Sequence, residues 1–137
     1  MNEKSNIELI KTHFAAFGRG DIQSAMNMIA EDVDWQSFVS KIQPTEITWA
    51  KACHNPNEVL RFFQELGEKV RPEKFEIIGI IAQGDQVVVE GYNKGKVRST
   101  GKTYEHDWVM LFTFRDGKIV RHRHYYDTAD IVTAFKQ

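Results

Sequence analysis

Between Tyr104 and Asp127 the chain alternates so regularly that two antiparallel strands with one bulky face are the structure it most directly specifies. Even positions carry Tyr104, His106, Trp108, Met110, Phe112 and Phe114, whereas odd ones mix Glu105, Asp107, Val109, Leu111 and Thr113. Side chains two apart project to one side of a strand, so the bulky set shares a face. Arg115-Asp116-Gly117 then fits a three-residue hairpin loop that ends on a left-handed glycine beside a bulge. That loop sets Met110 against His122, Trp108 against His124 and His106 against Tyr126, which gathers imidazoles, indole and phenol on one wall. A two-residue Asp-Gly loop would shift the register by one and turn His122 and His124 to the other side.

At 137 residues the chain is one domain by size, 1–137, and folding hides roughly two thirds of the surface that the unfolded chain exposes. Its 42% hydrophobic and 27% charged residues, with a formal net charge of −1, place it among globular chains rather than disordered or membrane-embedded ones. Lys and Arg are spread from Lys4 to Lys136, and the densest group, Lys94 to Arg98, reads as a solvated strand end or loop. No nucleic-acid or anionic-lipid partner is expected from that balance. Cys53 stands alone, which excludes an intrachain disulfide and a thiolate metal cluster and suits a reducing cytoplasm. The opening residues lack the apolar core of a signal peptide and no run has the length of a membrane span, so the expected location is cytoplasmic.

Ser5-Asn6-Ile7-Glu8 has capping-box spacing, and Ile7, Ile10, Phe14 and Phe17 recur at helical intervals before Gly18 and Gly20. Asp21 can cap a second short helix, with Ile22, Ala25, Met26 and Ile29 as its apolar set, ending near Glu31. A strand is expected over 34–39, and then a loop with possible strand from Ser40 to His54. Asn55-Pro56-Asn57-Glu58 is a helix start, with Val59, Phe62, Phe63, Leu66 and Val70 as the buried stripe. Strands are expected over about 73–82, 86–98, 104–114 and 118–126, and Asp127 caps a last helix to Phe135. Helices followed by a meander of long strands make an α+β domain, a curved antiparallel sheet with about three helices over its concave face, deep enough to hold a small apolar ligand at the open end.

The order of these elements resembles the nuclear-transport-factor-2-like (cystatin-like) superfamily, nearest its SnoaL-like and ketosteroid-isomerase-related branch. The resemblance spans Ser5 to Phe135. It rests on Ala15-Ala16-Phe17 followed by Gly20-Asp21, on Glu31-Asp32-Val33 running into Trp35, on Val59-Leu60-Arg61-Phe62-Phe63 and on Phe112-Thr113-Phe114-Arg115-Asp116-Gly117-Lys118-Ile119. Ketosteroid isomerases would imply a Tyr donor, a carboxylate base and a protonated Asp. Here those positions fall on His13, about Ser37 and Met110, so that chemistry is not inherited. In SnoaL-like cyclases the resemblance implies an Asp base in a His-aromatic-Asp word. His122-Arg123-His124 stands there, which puts His124 at the base position.

His124 or His106 in a partly dry pocket could move protons, with Tyr126 and Trp108 donating to a carbonyl or oxyanion; ordinary polar lining is the plainer reading of the same residues. His122 and His124, with His106, could also hold zinc, although the resemblance implies a cavity without metal or cofactor. Trp35, Trp108, Met110, Phe112, His122 and His13 are the expected ligand contacts, Trp49 a lid, and Asp127 a helix cap that could also orient His106. Glu90 and Tyr92 share a face of undecided direction. The odd face of the hairpin, with Val109, Leu111, Arg121, Arg123 and Tyr125, suits a homodimer made by packing sheets together. Two functions follow as expectations: a cofactor-independent acid/base enzyme of the isomerase, cyclase or dehydratase kind, or a carrier or sensor of an apolar ligand without chemistry. A dimeric scaffold is a third.

Overall fold

In a computed structural model, which describes residues 2–37 and 44–137, the first helix starts on Asn2 rather than Ser5. The Asn2 side chain accepts a hydrogen bond from the Ser5 amide at 2.8 Å, and α1 runs over Glu3–Gly18. Asp21 caps α2 (Ile22–Asn27) through the Ser24 amide and hydroxyl. That helix stops short of Glu31 because the following residues pair with a distant strand: the Ile119 amide donates to the Met28 carbonyl at 2.8 Å and Ile29 sits opposite Ile119. Strand β1 therefore covers Ile29–Gln36 and begins earlier than the alternation alone implies. The expected extension through Phe38 and Val39, and the part of the loop at 40–43, lie outside the described residues.

Asn55 caps α3 (Pro56–Lys69), with Pro56 in its first turn, as its sequence dictates. The chain passes directly from α3 into β2 (Val70–Gln83), so Pro72 lies inside a strand. An edge strand tolerates this, and Pro72 sits at a register shift opposite Gly95. Strands β3 (Gln86–Val97), β4 (Thr103–Arg115) and β5 (Lys118–Tyr126) complete the sheet, and α4 (Thr128–Phe135) starts on an Asp127 cap. The order is β1-β5-β4-β3-β2, antiparallel except for β1 beside β5. This is an α+β fold with four helices and one curved sheet, and its core forms where Ile10, Ala16 and Val59 meet Val87, Val89, Val97 and Phe112. No described helix is long and apolar enough to cross a membrane.

The β4–β5 turn corrects the expected register. Asp116 and Gly117 both have positive φ, 52° and 78°, and Arg115 pairs with Lys118, so the loop has two residues. Continued to the end, that register would send His122 and His124 outward. Between the Phe114–Ile119 and Thr113–Arg121 pairs, however, β5 carries one extra residue, Val120, and this bulge restores the parity. Phe112 faces His122, Met110 faces His124 and Trp108 faces Tyr126, two positions from the expected partners and on the same face. His106 thus lies beyond the last β4–β5 pair, on a stretch of β4 that α4 packs against.

Two strand glycines make room for that face. A Cβ on Gly91 would lie 2.0 Å from the Trp108 ring, and one on Gly95 would lie 2.3 Å from the Tyr104 hydroxyl. Glu90 and Tyr92 point the other way, where the Tyr92 hydroxyl bonds Glu105. Gly91→Ala should destabilise the protein by about 1–3 kcal/mol in chemical denaturation, as overpacking does. Gly67→Ala, in the last turn of α3 with nothing within 4 Å of the new methyl, should instead stabilise it by about 0.4–1 kcal/mol.

Candidate functional site

Between the helices and the inner face of the sheet lies a cavity of about 320 Å³. Helix α1 contributes His13, Phe14 and Phe17, and α3 contributes Phe62, Phe63 and Leu66, because helical spacing repeats one apolar face toward the sheet. From the strands come Trp35, Met110, Phe112 and His122, with His124, His106 and Tyr126 along the same wall. Trp49 also lines it and packs on Phe135 at 5.1 Å.

Trp108 is the one expected contact that does not border the cavity. Its ring fills the space above Gly91, stacks on Phe75 at 4.9 Å and is 1% exposed, so it backs the wall instead of facing a ligand. His13, by contrast, is 1% exposed and meets Phe17 edge-on at 5.0 Å, which places it inside rather than at a solvated helix margin.

His106 is held from α4. Its Nδ1 lies 2.9 Å from Asp130 Oδ2, and the same oxygen accepts the Glu105 amide at 2.8 Å. A carboxylate partner fixes the proton on Nδ1 and leaves Nε2 as the basic nitrogen. Asp127 does cap α4, accepting from the Asp130 amide at 3.1 Å, but Asp130 rather than Asp127 orients His106. Helix spacing hid this residue: Asp130 reads as an ordinary acidic group in a first turn, and only the docking of α4 on β4 gives it a partner.

The other three imidazoles of the wall, His13, His122 and His124, are held toward the neutral form. Burial, offset in part by a hydrogen bond to the Ala25 backbone, pushes His13 down to about 4. Burial, and then the neighbouring His106, push His124 down to about 3. His122 is held well below its ordinary value by burial, with His124, His13 and Arg123 adding to the effect. Burial raises the hydroxyls of Tyr126 and Tyr104, the latter to about 12, so both stay protonated donors. Ring contacts join the wall into a series: His122 to His124 at 6.3 Å, His124 to Tyr126 at 4.5 Å, and Tyr126 to His106 at 5.6 Å. Among the described residues no three His, Cys, Asp or Glu side chains are grouped so as to hold a metal ion.

Several known structures share this architecture. An NTF2-like protein from Burkholderia xenovorans LB400 is 32% identical, with a TM-score of 0.82 and 99% of each chain covered. One from Burkholderia thailandensis E264 is 25% identical, with a TM-score of 0.86 and both chains covered fully. TerC, crystallised with polyporic acid, is 24% identical over 97% of this chain and 99% of its own, with a TM-score of 0.74. No curated protein matches the sequence. The family described as the SnoaL-like domain matches residues 10–122, the segment that runs from α1 to the first histidine of β5. With its helix-covered curved sheet and histidine-lined interior, the chain belongs to the SnoaL-like family of the NTF2-like superfamily.

Proposed function

We propose that the protein is a cofactor-independent acid/base enzyme of the isomerase, cyclase or dehydratase kind that acts on a small apolar molecule. The observation that carries this reading is the Asp130–His106 pair at the wall of a mostly apolar cavity. His106 Nε2 takes a proton from a carbon or oxygen of the substrate, and the Asp130 carboxylate stabilises the imidazolium that forms. Tyr126, its hydroxyl kept protonated by burial, donates to the oxygen on which charge develops. His124 stands where the family resemblance puts a carboxylate base. Held neutral, it serves as a hydrogen-bonding group beside the reacting atoms, able to pass a proton on but a weak acceptor of one. Trp35, Met110, Phe112, His122 and His13 hold the apolar body of the ligand. TerC, with the same fold, was co-crystallised with polyporic acid, which supports the reading of the cavity as a ligand site.

A second copy of the chain is the proposed partner, through the outer face of the sheet, and the cytoplasm is the proposed compartment. Paired outward residues Ile81, Val88 and Leu111 form an apolar row across three strands, and Tyr125 is 44% exposed beside it. Light scattering at micromolar concentration should give twice the chain mass, and a monomer would defeat the dimer.

Hydrogen–deuterium exchange at the carbons next to the carbonyl of cyclic ketones, followed by NMR in deuterated buffer, tests the chemistry. His106→Gln should slow exchange by about 10²–10⁴-fold with ligand binding retained, and Asp130→Asn by at least about tenfold. Wild-type exchange no faster than buffer across the panel would leave a carrier. The neutrality of the buried imidazoles has its own test. They are unprotonated when folded but titrate near 6.5 when unfolded, so below that pH the unfolded chain binds more protons and stability is lost. Unfolding free energy should fall from about pH 6.5 to 4 by about 1.4 kcal/mol per pH unit for each such imidazole, and His124→Gln should remove one increment. Asp34, whose carboxyl Arg123 holds below 3.8, contributes only at lower pH, which separates the two effects.

A further inference from the structure

One part of the cavity wall carries polar atoms that the acid/base reading does not use. Trp35 Nε1, Ser37 Oγ and His122 Nδ1 are all buried, and none has a hydrogen-bond partner among the described residues. Each of the three side chains is 2% exposed, and each borders the cavity. They also belong together in space. Trp35 and His122 are register partners on the parallel β1–β5 pair, with rings stacked 3.8 Å apart at 30°, and Ser37 follows Trp35 by two residues. Leaving one buried polar group unpaired costs about 1–3 kcal/mol, so three in a single patch call for a partner beyond the described residues, which a bound ligand can supply.

We propose that Trp35, Ser37 and His122 form a hydrogen-bonding subsite for an uncharged oxygen, a hydroxyl or carbonyl, carried at one end of an apolar ligand whose other end lies at His106. This rests on the reading of the cavity as a ligand site. The donor and acceptor inventory fits it. The indole N–H only donates, the serine hydroxyl does both, and a neutral imidazole offers one donor and one lone pair. A hydroxyl can therefore accept from the indole and donate to His122 or Ser37, and a carbonyl can accept from indole and serine. Among the described residues a carboxylate finds no cation there. Lys74, the lysine that borders the cavity, sits at its exposed margin paired with Glu76, and the Arg123 guanidinium is taken by Asp34. His13 and His124, on either side, carry no charge to offer an anion.

The test compares toluene, 4-methylphenol and 4-methylbenzoate as probes of the full-length protein near about pH 7.5, by equilibrium dialysis. The phenol should bind at least about tenfold more tightly than either of the others, the effect of roughly one net hydrogen bond. Ser37→Ala and His122→Phe should each shrink that preference while toluene affinity changes by less than about threefold, and His122→Asn should restore part of it. His106→Gln should leave the preference intact, which separates this subsite from the acid/base pair. Equal binding of toluene and the phenol, or tightest binding of the benzoate, would overturn the subsite alone. Failure of all three to bind would overturn it together with the ligand-binding reading.

Discussion

One inserted residue decides which side of the sheet receives the histidines. The Asp116-Gly117 turn, with both residues in the left-handed region, starts β5 in a register that would carry His122 and His124 into solvent and bring Arg121 and Arg123 inside. Val120 absorbs one residue as a bulge, and from Arg121 onward every side chain of β5 changes face. Arg123 then lies outside, where Asp34 takes its guanidinium through two hydrogen bonds, at 2.8 and 3.2 Å. The same step removes His106 from β5. Beyond the end of the paired region it is open to α4, and the Asp130 contact exists because the hairpin runs out there.

An interior that accepts so many polar rings has to be assembled without charge. His13, His122 and His124 pack among Phe14, Phe17, Phe63 and Phe112, where a protonated imidazole would pay a large desolvation cost. Neutral rings avoid it, and they pack edge-on or stacked much as aromatic hydrocarbons do. A cost remains: ring nitrogens of His13, His122 and His124, like those of Trp35 and Trp108, have no partner among the described residues. Stability is thus given up where these rings are buried.

Much of this was legible in the residues. Period-two alternation located β4 and β5, the Asn55-Pro56 and Asp127 caps located α3 and α4, and the order of the local words identified the family. Three things were not legible, each for a physical reason. The Val120 bulge leaves no trace in the alternation, since an apolar residue fits either face near the end of a hairpin. The start of β1 was hidden because Ile29 continues the apolar spacing of α2, and pairing with Ile119, ninety residues away, overrides that local pattern. Asp130 could not be assigned because its role comes from tertiary docking. Trp108 shows the converse limit: alternation puts it on the inner face correctly, yet the missing side chain of Gly91 lets it sink behind the wall.

A histidine rather than a carboxylate at position 124 suits the same electrostatics. A carboxylate at that position would face Met110, Tyr126 and the buried rings without a cation, and it would either stay protonated or strain the fold. The anion next to the wall is Asp130, at a helix start where its side chain keeps 30% of its exposure and two N–H groups, the Glu105 amide and the imidazole, hold its oxygen. His106, 8% exposed, passes the influence of that charge inward without bringing the charge itself. Charge at the rim and neutral hydrogen-bonding groups within is an arrangement that can polarise an apolar ligand at one end and hold it at the other. It lets one small cavity combine basicity with dryness, two properties that a buried carboxylate would set against each other.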